Sequence, residues 1–153
     1  MGGVIVAFKG EHIYSLDEKG RVKLPPAFRD GLLGPANKSV VLLRDPEGCL
    51  GLYSNESYAI LEAKLATLDL GILANRQIQR CYGSSAMDIN VDVQGRIMIP
   101  AHLLEYAQLA KNSQALFAGF RDSVQVWSKE RYDQSFLATI DLHSELKHQL
   151  ELR

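Results

Sequence analysis

The chain has 153 residues, 46% hydrophobic and 23% charged, and its 17 basic and 18 acidic side chains leave a net charge of -1. That is the balance of a folded globular protein rather than a disordered one, and the length allows one domain or two small ones. A near-neutral surface disfavours indiscriminate binding to polyanions, so a nucleic-acid role requires a local basic patch.

Taken in chain order, Ile13 to Leu16 predicts a short strand, and Asp17-Glu18-Lys19-Gly20 a turn. Its Asp can bond the backbone a few residues on, and its Gly can take the left-handed conformation that closes a short hairpin loop. Arg21-Val22-Lys23-Leu24 alternates polar and apolar residues as a half-buried strand does. Pro25-Pro26 stops that strand and presets a helix from Pro26 to about Leu33. Val40 to Leu43 predicts a buried strand, Asp45 to Gly48 a turn, and Leu50 to Tyr53 another strand, with Ser54 placed to cap a helix from Glu56 to about Leu68. A second helical stretch runs from Ile72 to Tyr82 and is broken by Gly83.

The series then begins again. Asp92-Val93-Gln94-Gly95-Arg96, with Ile97, Ile99 and Pro100, repeats the first turn 75 residues later. A helix from Pro100 to Ala107, an apolar run Ala115 to Ala118, a turn Arg121 to Ser123, a strand Val124 to Trp127 and a cap at Ser128 follow in the same order. A final helical segment carries Tyr132, Phe136, Leu137, Ile140, Leu146 and Leu150, with last turns expected to fray or to make contacts. Two copies of so long a unit point to two halves sharing a core rather than to a solenoid. The divisions expected are 8–54 and 84–128 for the repeats, 55–83 for a helical connector and 129–153 for a tail.

The copies differ in charge. Residues 9–29 hold Lys9, Lys19, Arg21, Lys23 and Arg29 against Glu11, Asp17 and Glu18, a balance of +2, whereas residues 84–104 hold Arg96 against Asp88 and Asp92, a balance of -1.

Phe8-Lys9-Gly10-Glu11-His12, the paired Asp-x-x-x-Arg motifs, Leu24-Pro25 and Ile99-Pro100-Ala101 resemble the MraZ family of bacterial transcriptional regulators, from about Phe8 to Trp127. The resemblance implies an α+β, mainly β fold: two SpoVT/AbrB-like swapped-hairpin units in an internal pseudo-dimeric barrel, with connecting and C-terminal helices. It also implies a ring-shaped homo-oligomer that binds direct repeats of double-stranded DNA in the promoter of the division and cell-wall gene cluster, usually as an autorepressor. The chain departs from the family pattern in its Met1 to Ala7 extension, at Pro26 for the usual alanine, and at Ser54 where proline is frequent.

In the residues themselves, alternation sends Arg21 and Lys23 to the face opposite Val22 and Leu24, as a ribbon meeting a groove requires. The guanidinium of Arg21 can fork onto phosphate or guanine, and Lys19, Lys23, Lys9 and Arg29 can attract the backbone or form a solvated charged face. Arg96 reads first as tied to its own Asp92, so the first copy is expected to do the reading, with Asp17, Gly20, Asp92 and Gly95 shaping the turns. Arg76 and Arg80, one turn apart, either contact phosphate or a second subunit or form an exposed helix face. Trp127, Phe117 and Phe120 are expected in the core.

No enzyme, cofactor, metal or small-molecule substrate is called for. His12, His102, His143 and His148 have no metal spacing, Cys49 and Cys81 form no metal or redox pair, and no phosphate loop is present. No run spans a bilayer and the start lacks a signal peptide, which gives a cytoplasmic protein as the expectation, and the DNA-binding role that the resemblance implies makes it nucleoid-associated. A protein-interaction or ring-scaffold module, or an antitoxin-like regulator of the same fold, are the other readings.

Overall fold

The computed structural model describes residues 7–139 and 142–151, so the expectations placed on Met1 to Val6 and on Ile140 lie outside the described residues. The first half contains β1 (Glu11–Ser15), β2 (Arg21–Lys23), α1 (Pro26–Leu33), β3 (Ser39–Arg44), β4 (Leu50–Tyr53) and α2 (Asn55–Leu65). After α3 (Leu73–Gln79) and a π-helical turn (Arg80–Ser84), the second contains β5 (Met87–Asn90), β6 (Arg96–Met98), α4 (Ala101–Tyr106), β7 (Gln114–Phe120), β8 (Ser123–Ser128) and α5 (Lys129–Ala138), with α6 (His143–Gln149) behind it.

Local chemistry sets most of these boundaries. Pro26 opens α1 in the first turn, where its missing N–H costs nothing, and Gly34 closes it at φ 63°. The hydroxyls of Ser54 and Ser128 accept from the N–H of Ser57 at 3.0 Å and of Arg131 at 3.4 Å, so both serines cap as their positions predict. The connector differs from its sequence pattern: α2 ends at Leu65, and Gly83 lies inside a widened turn that runs on to Ser84.

Pairing is where the halves interlock. Among the described residues β1 and β2 form no ladder with each other; the Asp17 N–H, just past β1, bonds the Arg21 carbonyl at 2.9 Å. β1 instead pairs with β7 of the other half, β5 pairs with β3, β4 pairs with β8, and β2 pairs with β6 as a separate ribbon. The large sheet runs β1-β7-β8-β4-β3-β5, and this order is the same when the two halves are exchanged. It stays open at β1 and β5 and is not closed into a continuous hydrogen-bonded barrel.

One core serves both repeats. Val22, Leu24, Phe28 and Leu32 are buried together with Ile97, Ile99, Leu103 and Leu104, and the edge of the Phe8 ring meets Phe28 at 5.6 Å. A smaller cluster of Cys49, Leu116, Ala118 and Trp127 is covered by Tyr132 of α5. Phe117 and Trp127 are therefore core residues, whereas Phe120, at the last position of β7, is 52% exposed and is not. Burying the inward side chains of β2 and β6 in the shared core turns the opposite face of the ribbon outward.

Candidate nucleic-acid interface

Each repeat builds the same turn. Asp17 accepts the N–H of Lys19 at 2.8 Å and of Arg21 at 2.9 Å through one carboxylate oxygen, and holds Arg21 Nε with the other at 2.7 Å. Asp92 does the same for the N–H groups of Gln94 and Arg96, both at 2.9 Å, and for Arg96 Nε at 2.8 Å. Gly20 and Gly95, at φ 80° and 76°, supply the left-handed step that L side chains rarely adopt. The Arg21 N–H, with the guanidinium and the Lys19 N–H, holds the Asp17 carboxyl down at about 2, and the corresponding partners lower that of Asp92. Both carboxylates are thus ionised at neutral pH. Each ties its arginine through Nε, and among the described residues neither arginine's terminal Nη groups take a hydrogen bond.

β2 and β6 place the turns at opposite ends of one ribbon. The register sets Arg21 against Met98, Val22 against Ile97 and Lys23 against Arg96. Val22 and Ile97 are buried, so alternation presents Arg21, Lys23, Arg96 and Met98 together on the outer face. The structure therefore gathers Arg21, Lys23 and Arg96 as predicted residues of one surface, and adds Met98. The alternation Ile97-Met98-Ile99 was the signal that could have found it.

Interlocking also moves the charge. Lys23 of the first repeat lies beside Arg96 of the second, at the second turn. A Cβ on Gly95 would stand 2.5 Å from Arg29 Nη2, whereas one on Gly20 would meet Leu104 Cδ1 at 3.0 Å. Arg29 is half-buried and also donates to the Leu24 carbonyl at 3.3 Å, so it is structural in part. The Val91 N–H bonds the Lys38 carbonyl at 2.8 Å, just as the Leu16 N–H bonds that of Ser113. Arg29, Asn37, Lys38 and Asp92 then line a groove of about 260 Å³ beside the second turn. Lys38 was missed because nothing in its local sequence connects it to a turn more than 50 residues away. The windows that made the first copy basic and the second acidic do not describe either end of the ribbon.

The remaining candidates separate. Lys19 is exposed at the tip of the first turn, whereas Lys9 stands outside the ribbon, next to the Phe8 bridge to Arg121. Arg76 and Arg80 are exposed on the connector. Cys49 is buried, which pushes its thiol well up from the ordinary range, and both it and Cys81 are free. Among the described residues no cluster of three or more His, Cys, Asp or Glu could hold a metal, and no helix is long and apolar enough to cross a membrane.

Comparison with known proteins agrees with the duplication. A family model described as "MraZ protein, putative antitoxin-like" matches residues 7–81 and again 84–150. The chain is 35% identical to the transcriptional regulator MraZ of Roseiflexus sp. (strain RS-1) over 91% of this chain and 92% of that one. It is 38% identical to that of Heliobacterium modesticaldum over 83% and 85%, and 37% identical to that of Thermoanaerobacter sp. (strain X514) over 82% and 83%.

Proposed function

The chain belongs to the MraZ family, whose members are transcriptional regulators and not enzymes, and on that premise we propose that its β2–β6 ribbon binds promoter DNA sequence-specifically. The observation that carries this reading is the outer face of the ribbon, which Arg21, Lys23 and Arg96 share over a fully buried apolar pair. A two-stranded ribbon fits the major groove, and an arginine fixed at Nε can present its Nη groups to guanine or phosphate. Lys19, Lys38 and Arg29 add attraction to the flanking backbone.

In this reading the target is a set of direct repeats in the promoter of the division and cell-wall gene cluster, the effect is autorepression, and the protein is cytoplasmic and nucleoid-associated. The family resemblance supports these particulars. Assembly into a ring multiplies one weak patch along one DNA by effective concentration. A contact between copies is supported by two exposed apolar patches, one of them beside basic residues of the connector. Ile72 and Leu73, at 52% and 66% exposure, stand near Arg76 and Arg80 in the sequence, and Phe136 and Leu137, at 58% and 66%, follow the Lys129–Asp133 ion pair on α5.

The test uses a duplex selected from random DNA by the wild-type protein, in gel shifts at physiological salt. Arg21→Ala and Arg96→Ala are each expected to weaken specific binding about 5- to 150-fold, the usual range for a base-contacting arginine. The two hold one geometry, so the losses should be comparable. A loss confined to Arg21 would restore the ranking by repeat, and undiminished binding with both arginines replaced would overturn the reading.

A further inference from the structure

We infer that Met98 is a specificity-determining residue of the ribbon, which recognises the C5 methyl group of a thymine next to the base that Arg21 contacts. The inference rests on the DNA reading above and adds to it the identity of one base.

Single exposed apolar residues are ordinary on a protein surface and need no function. Met98 is set apart by position. It is 58% exposed on a face otherwise occupied by Arg21, Lys23 and Arg96, and it is the direct cross-strand partner of Arg21. Exchanging the two halves of the ribbon brings Lys23 onto the place of Met98, so the site that is cationic at one end is a thioether at the other. A methionine has no donor for phosphate and gains only by removing apolar surface from water. In the major groove the apolar feature on offer is the thymine methyl, which no other base presents.

Distances agree with this assignment. Directly opposed residues of an antiparallel pair hold their Cβ atoms about 4.5–5.5 Å apart, between one and two base-pair rises of about 3.4 Å. Arg21 and Met98 therefore reach the same or neighbouring base pairs, and a guanine taken by Arg21 sets the thymine within one step. The long unbranched side chain of methionine can adjust to a methyl that is not perfectly aligned. One consequence is direction. A backbone that is two-fold along the ribbon carries lysine at one end and methionine at the other, so each subunit binds its step in one orientation.

Replacing thymine by uracil removes the methyl and nothing else, which isolates the contact. In the duplex selected by the wild-type protein, uracil is placed at each thymine in turn. At one position the wild type is expected to lose about fourfold in affinity, the size of one buried methyl group. Met98→Ala should weaken binding to the thymine duplex by a similar factor and bind the thymine and uracil duplexes equally, while Met98→Leu should keep part of the difference. The side chain points outward, so circular dichroism and oligomer size should be unchanged in both variants. A wild type indifferent to uracil at every position, or a Met98→Ala variant that still discriminates, would overturn the inference while leaving the arginine results standing. Failure of the wild type to select any sequence would overturn both.

Discussion

The two ends of the β2–β6 ribbon are made alike and surrounded differently. At each, one carboxylate gathers two backbone N–H groups and one arginine Nε, with hydrogen bonds between 2.7 and 2.9 Å throughout. Around the first turn stand Lys19, Met98, Leu104 and Ser113, and around the second stand Lys23, Arg29 and Lys38. The frame was duplicated as a unit, while each neighbourhood, Lys19 apart, is furnished by the other repeat. Recognition can therefore be tuned at one end by substitutions half a chain away, without disturbing the turn itself.

The comparison breaks most completely if the ribbon is released from the core. Val22 and Ile97 face each other across it and are 1% and 0% exposed. Ile97→Ala should cost about 2–5 kcal/mol in urea unfolding, the range for truncating a buried isoleucine. Val22→Ala removes fewer groups and should cost less. Either should weaken DNA binding at both ends together, since one inward pair supports both. An Ile97→Ala variant that unfolds within about 0.5 kcal/mol of the wild type, as an ordinary surface change would, shows that something else holds the ribbon.

Much of this frame was legible in the sequence, because caps and breakers act within a few residues. Pro26 and Gly34 bound α1, Ser54 and Ser128 start their helices, and the Asp-x-x-Gly-Arg turns form from their own side chains. Strand partnership was not legible in the alternation of residues. Val22 and Ile97 are paired although 75 positions apart, and no periodicity within β2 says which strand it meets. That gap had a consequence for the site: charge summed over contiguous windows assigned the basic patch to the first turn, and interlocked pairing carries Lys23, Arg29 and Lys38 to the second. Phe120 fails for a related reason, since an aromatic at the end of a strand is core only if the strand's last position faces inward.

A smaller effect sharpens the difference between the ends. Lys38 and Ser113 occupy matching places beside the second and first turns. Lys38→Ser should weaken binding a few-fold across all sequences and lower the slope of log affinity against log salt by about 0.9, the share of one phosphate contact. Ser113→Lys should raise the slope by as much. An unchanged slope in both variants would mean that the groove beside the second turn meets no phosphate.

The smallest effect concerns what the ends share. The Asp17 carboxyl titrates at about 2 rather than at its ordinary 3.8, because the Arg21 N–H and guanidinium and the Lys19 N–H bind its charged form. A carboxyl lowered in the folded state stabilises it fully above the unfolded value and progressively less as pH falls toward the folded one. The first turn should accordingly be intact at pH 5 and loosen between about pH 4 and pH 2. The amide resonances of Lys19 and Arg21 would follow Asp17, and those of Gln94 and Arg96 would follow Asp92, which is lowered by the same kinds of bond. A midpoint at the ordinary value for either pair would show that its turn is open in solution. Because both transitions lie far below neutrality, neither turn changes charge near pH 7. Any difference in DNA binding between the two ends at that pH should then trace to Lys19, Met98, Lys23, Arg29 and Lys38, and not to the carboxylates that shape the turns.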